Sequence, residues 1–128
     1  MRISKSDIPV KIDVPGATAR QQLDFGDPSA FTSLGAEYFS LGAGTDIAPL
    51  LAGLTDDACH APHWGFMISG QVVVAYTDGT EETCNSQDLF HWPAGHSVRV
   101  TDDAEVILFS PQAEHTAVMD HMLAKIAG

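Results

Sequence analysis

Positive charge is what this sequence lacks most. Six lysines and arginines face 17 aspartates and glutamates, a net charge of −11. Such a surface repels phosphate backbones and anionic lipid headgroups, which argues against nucleic-acid and membrane partners. Solubility is sufficient reason for the excess. Cysteine is scarce as well: Cys59 and Cys84 are the pair present. Two thiols in a reducing compartment read as free cysteines or a metal ligand rather than a disulfide. Long apolar runs are missing, and nothing approaches the ~18 residues that span a bilayer. The opening Met1-Arg2-Ile3-Ser4-Lys5 lacks the apolar stretch of a secretory signal, so the expected compartment is the cytoplasm.

What remains is globular. A length of 128 residues and 45% hydrophobic content fit a single domain able to bury a core without disulfides. We expect an N-terminal strand and loops over 1–35, a barrel over 36–110 and a helix over 112–127. Apolar residues alternate at Ile8, Val10, Ile12 and Val14, which predicts a strand, and Pro9 places it at a sheet edge. Residues 15–35 read as loop with a short strand near Leu23–Phe25, and Glu37–Leu41 as a strand. Residues 45–58 read as a long connection anchored by Leu50, Leu51 and Leu54. Trp64–Ser69 and Gln71–Thr77 read as strands joined at Gly70. Asp78-Gly79 is a hairpin signal, and Thr80–Asn85 returns. Asp88–Trp92, His96–Val100 and Ala104–Phe109 follow, with a turn expected at Thr101-Asp102-Asp103. Val118, Met119, Met122, Leu123 and Ile126 recur at helical spacing, so a C-terminal helix is expected on the outside of the barrel or on a partner subunit. Short strands between frequent turns indicate an all-β sandwich or barrel.

Four of the six histidines fall in two clusters, Cys59-His60-Ala61-Pro62-His63-Trp64-Gly65 and Phe90-His91-Trp92-Pro93-Ala94-Gly95-His96. Imidazole binds Zn, Fe, Ni or Mn readily, so two facing clusters could hold a divalent ion. His63 and His96 are the leading ligand candidates, the plain alternative being hydrogen-bonded interior histidines. His96 shares a strand face with Val98 and Val100. His60 and Cys59 compete for a third place, and Pro62 prevents a choice by strand parity. His91 alternates with Phe90 and Trp92, so it faces the pocket only if those rings do not. Trp64, Phe66, Met67 and Trp92 are candidates for an apolar cavity wall, with ordinary core packing as the alternative. Glu37 could face inward as a carboxylate ligand or base. His115 and His121 are expected at the surface of the helix. No nucleophile–base pair stands out, and no catalytic residue is assigned.

These residues resemble the small single-domain cupins, double-stranded β-helix jelly rolls. Cupins carry His-x-His, three or four residues, Glu, six residues, Gly, and later Gly, five residues, Pro-x-Gly, two residues, His. Here Asp88 to Gly95 follows the second motif, with Gln87 in place of its first glycine and Val98 at its histidine position, while His96 stands two residues earlier. The first motif ends at Gly70, which puts His63 at the glutamate position and Asp57 and Cys59 at the His-x-His positions. The family's three-His, one-Glu set is therefore altered. A subgroup of short bacterial cupins reads Cys-x-x-Pro-His-x-Gly, then Ser-Gly, Asp-Gly-Thr and Pro-x-Gly-His. Cys59, Pro62, His63, Gly65, Ser69, Gly70, Asp78, Gly79, Thr80, Pro93, Gly95 and His96 follow that pattern. The resemblance implies a cupin jelly roll with a C-terminal α-helix, and it favours Cys59 over His60. It further implies a divalent metal, a small-molecule ligand and a homodimer. The activity stays open among oxygenase, isomerase or lyase chemistry and non-enzymatic metabolite binding or sensing.

Overall fold

The computed structural model describes residues 1–26 and 33–128. The loop expected toward residue 35 lies partly outside the described residues. Seven antiparallel strands form one rolled sheet, β1 (Val10–Val14), β2 (Ala17–Gln22), β3 (Leu34–Leu41), β4 (His63–Tyr76), β5 (Glu81–Asn85), β6 (Leu89–Trp92) and β7 (His96–Pro111). The strand order is β1-β2-β3-β7-β4-β5, with β6 paired to β4. Two α-helices lie among the described residues, the short α1 (Ala48–Leu51) and the C-terminal α2 (Gln112–Ala127), with single 3-10 turns at Lys5–Asp7 and Thr55–Asp57.

β4 and β7 carry the architecture. Each is continuous where the sequence suggests a break. β4 runs straight through Gly70, and β7 runs through Thr101-Asp102-Asp103. The turn signals at both places mark a bulged crossing instead, because the register slips between Met67 and Val72. Gly70 takes φ +84°, and an added Cβ there would lie 2.0 Å from the carbonyl of Asp103. No side chain fits at that crossing. The Asp78-Gly79 hairpin forms, with the Gly79 amide donating to the Tyr76 carbonyl at 3.0 Å.

Strand parity sorts the residues. Met67, Val72, Val74, Val98, Val100, Val106 and Leu108 pack inside the roll. β2 falls before the expected Leu23–Phe25, because Ala-Thr-Ala-Arg-Gln-Gln has little apolar alternation for a sequence reading to detect. Its inward positions are Ala19 and Gln21, both buried. β1 is the sheet edge, and Pro9 sits just before it. The connection over 45–58 contains α1, and Leu51 is fully buried beneath it.

α2 differs from its expected position. Its stripe of Val118 and Met119 turns inward and packs against Leu51, Cys59 and Ala61 on one side and Ile12 and Ala19 on the other. The helix thus forms part of the lining of the roll. None of its length is apolar enough to cross a membrane.

Candidate functional site

His63 opens β4 and His96 opens β7, so each imidazole enters the roll at the start of a strand. Both are buried, at 3% and 2% exposure, and their ring centroids lie 4.9 Å apart. Cys59 precedes β4 and is held by its backbone: its amide donates to the His96 carbonyl at 2.8 Å, and its carbonyl accepts from the Gly95 amide at 2.7 Å. That bridge puts Cys59 Sγ 3.6 Å from His63 Nε2. The fourth member comes from α2. His115 is buried at 4% exposure, not on the surface, and its ring centroid is 4.3 Å from that of His63. The reason is helical phase: His115, Val118, Met119 and Met122 stand at i, i+3, i+4 and i+7, so they share the inward face. His121 is half-buried and meets the carbonyl of Ala52 at 2.8 Å.

A hydrogen-bonded carboxylate aims these rings. Ser110 Oγ donates to Glu37 Oε1 at 2.5 Å, which spends the only hydroxyl proton. His63 Nδ1, 2.6 Å from the same oxygen, must therefore be the donor to Ser110. His115 Nδ1 donates to Glu37 Oε2, which also accepts from Gln21 Nε2 at 3.2 Å. His96 Nδ1 donates to the Pro93 carbonyl at 2.8 Å. Each of the three imidazoles is thus engaged at Nδ1, leaving Nε2 for a ligand. An Nδ1–H held by a carboxylate, hydroxyl or carbonyl is the usual support of a metal-ligating histidine. Glu37 is 2% exposed, and both of its oxygens are committed to Ser110, His115 and Gln21. It orients donors and is not itself on the cavity wall.

Electrostatics favour neutral donors. Burial, followed by the neighbouring His115, His96 and His91, holds the His63 imidazole well below its ordinary value. Burial lowers His96 to about 4. Burial is also the first cause that lifts the Cys59 thiol to about 11, with Glu37 adding to it. Neutral imidazoles are the form that binds metal, and a thiol ligand would release its proton on binding.

The donor set fits a divalent ion. Cys59, His63 and His96 offer ligand atoms within 4.8 Å of one another; Glu37, His63 and His115 form a separate group of that size, in which Glu37 is already committed to its hydrogen bonds. Tetrahedral ligation with Zn–S near 2.3 Å and Zn–N near 2.0–2.1 Å places sulfur and nitrogen about 3.5 Å apart. The observed Cys59–His63 separation of 3.6 Å is of that size.

The cluster forms one end of a cavity of about 620 Å³. Among the four aromatic and apolar candidates, Trp92 is on its wall, and its ring meets His63 edge-on with centroids 6.0 Å apart. Met67 is fully buried in the core without reaching the cavity, and Phe66 is half-buried. Trp64 follows His63 in the strand and so points out. It is 49% exposed and stacks on exposed His91 at 4.7 Å between centroids. With Trp92 inward, His91 falls outside, where its Nδ1 meets the His63 carbonyl at 3.0 Å. His60 is half-buried and lies off the cavity wall. The sequence reading missed His115, Ser110 and Gln21. The helical phase of His115 was a usable signal, whereas Ser110 and Gln21 carry none.

No protein-family model and no curated protein matches the sequence. Solved structures do match. Oxalate decarboxylase from Lactobacillus farciminis, in a formate complex, is 24% identical, with a TM-score of 0.60 over 85% of this chain. This chain spans only 32% of that one. The polyketide cyclase RemF from Streptomyces resistomycificus is 14% identical, with a TM-score of 0.58 over 87% of this chain and 78% of its own. Ectoine synthase from P. lautus is 12% identical, with a TM-score of 0.55 over 78% of this chain and 67% of its own. The fold is the cupin jelly roll with a C-terminal helix, as the sequence motifs imply.

Proposed function

We propose that this protein binds a small organic molecule beside a divalent metal ion held by His63, His96 and His115, with Cys59 as the adjoining fourth donor. The observation that carries this reading is the shared hydrogen-bonding of three buried imidazoles, each donating through Nδ1 to a fixed acceptor. They come from β4, β7 and α2, so no local turn explains their convergence. An ion at this place would act as a Lewis acid toward an oxygen of the bound molecule. Glu37 and Ser110 fix the His115 and His63 rings, and the wall beside the donors is largely apolar.

Proton transfer has few candidates. The one carboxylate among the described wall residues is Asp46, which is exposed and accepts from the Ala48 amide at 2.9 Å. A reaction that needs a base near the cluster would have to use one of the imidazoles or Cys59. That scarcity favours, as a second reading, a metabolite-binding role without turnover.

The deciding experiment is metal content by elemental mass spectrometry on protein purified without an affinity tag, with His63→Ala and His115→Ala in parallel. About one Zn, Fe, Ni or Mn per chain, lost in both variants, supports the site as drawn. Absence of metal after reconstitution in all three removes it.

A further inference from the structure

We propose that the cavity takes a neutral, largely apolar molecule with one oxygen-bearing head, such as a hydroxylated ring system, and that α2 sets the size it accepts. This inference rests on the metal-site reading and gives it a ligand class.

The wall is divided by chemistry. At the buried end stand Cys59, His63, His96 and His115. The rest of the wall is largely aliphatic: Ile12 from β1 and Met119 from α2 are buried together, Val14 and Met122 are half-buried beside them, and Ile126 is exposed. Pro15, Gly44 and Ile126 are exposed and mark the opening. A ligand long enough to reach from the opening to the imidazoles must lay its body along this aliphatic stretch.

Charge narrows the class further. Among the described residues no lysine or arginine lines the cavity. A dicarboxylate too long to chelate one ion with both ends could place one carboxylate at the imidazole end, but its second would lie unpaired against aliphatic side chains. Burying an unpaired carboxylate is strongly unfavourable. The charged side chain on the wall, Asp46, has the same sign as such a ligand. Thr45 offers no free donor, because its hydroxyl donates to the Gly16 carbonyl at 3.1 Å.

Size and adaptability agree. The volume of about 620 Å³ is far larger than a two-carbon acid needs, and it lies in the range of pockets that enclose drug-sized molecules. Two of the α2 wall residues are methionines, whose unbranched thioethers conform to varied shapes. The helix is held in place by the buried contact of His115 with Glu37 and by the burial of Val118 and Met119. Its wall is therefore fixed in position and adaptable in detail.

The test is isothermal titration calorimetry of metal-loaded and EDTA-stripped protein with 1-naphthol and with adipate, the metal content being measured on the same samples. We expect 1-naphthol to bind in the micromolar range at one per chain and adipate to give no saturable heat. Met122→Glu should weaken 1-naphthol by about tenfold or more, while Met122→Leu leaves it near wild type. Met122→Trp, which fills the cavity without adding charge, should weaken it too and guards against a folding defect in the glutamate variant. Adipate binding above 1-naphthol would overturn the inference, as would 1-naphthol binding that neither Met122→Glu nor Met122→Trp changes. Protein that holds its metal and binds neither compound would overturn it while leaving the metal site standing. Binding of 1-naphthol to a protein that never takes up metal would support the cavity and remove the metal reading.

Discussion

Ser110 accepts a hydrogen bond from Nδ1 of His63 at 2.6 Å, and the residue is fully buried. It touches no solvent and lies on no cavity wall, yet it decides which nitrogen of His63 faces Cys59. Replacing it with alanine leaves Glu37 and His63 each short of a partner. Ser110→Ala should lower metal affinity by roughly 10–100-fold, as loss of such supporting contacts does. Competition against a chelator of known affinity measures this, and unchanged affinity would mean that His63 is oriented by something else.

Cys59 has a spectroscopic signature. Cobalt(II) in place of the native ion should show a thiolate-to-cobalt charge-transfer band in the near ultraviolet. Cys59→Ala should abolish the band while cobalt still binds, more weakly. The other thiol, Cys84, lies against the Trp92 indole N–H at 3.4 Å and should contribute nothing. A band that survives in the variant would take Cys59 out of the ligand set.

Acid should begin to destabilise the metal-free protein above the ordinary carboxylate range. His96 has an ordinary value of 6.5 and a folded value of about 4, and His63 is lowered in the same direction. Between these values the unfolded chain binds more protons than the folded one, so stability rises with pH. It should be full above about pH 6.5 and fall steadily as pH drops toward about 4. Thermal denaturation of EDTA-treated protein across that window checks the slope. In His96→Gln the slope should be shallower.

Gly65 is a steric requirement. An added Cβ would lie 2.1 Å from the Ile107 carbonyl and 2.5 Å from the Phe90 ring. The ring could shift, but the carbonyl belongs to the β4–β7 ladder. Gly65→Ala should cost about 3 kcal/mol or more, at the upper end of overpacking substitutions. A urea denaturation midpoint close to wild type would show that the two strands can separate there at little cost.

The parts of this structure that could be read from sequence are those where one local rule acts alone. Alternation in the first half of β7 places His96, Val98 and Val100 inside, the resemblance to cupins implies the same for His63, and Asp78-Gly79 marks its hairpin. Rules in competition mislead. Thr101-Asp102-Asp103 has turn composition, but pairing with β4 carries the strand through it as a bulge. β2 is hidden because its inward Gln21 is chosen to hydrogen-bond Glu37, a reason invisible until the two strands are side by side. A surface position is the sequence expectation for His115, because a histidine on an amphipathic helix is usually solvated. Its apolar face turns out to line a barrel, and the imidazole goes in with it. Of the candidate site, Cys59, His63, His96 and an inward Glu37 could be named from the sequence, whereas the entry of His115 and the bonds from Ser110 and Gln21 to Glu37 come from tertiary packing.

The junction at Pro111, where β7 passes directly into α2, has a consequence for assembly in time. Every strand leaves the ribosome before His115 does. The sheet can therefore form with the imidazoles of β4 and β7 already inside it while the third is still being made. During that interval the cavity has no helical wall, and any ion present meets only part of its donors. If the proposed site holds an ion, complete binding would require α2 to have docked, so metal retention would distinguish chains with a docked α2 from those without one.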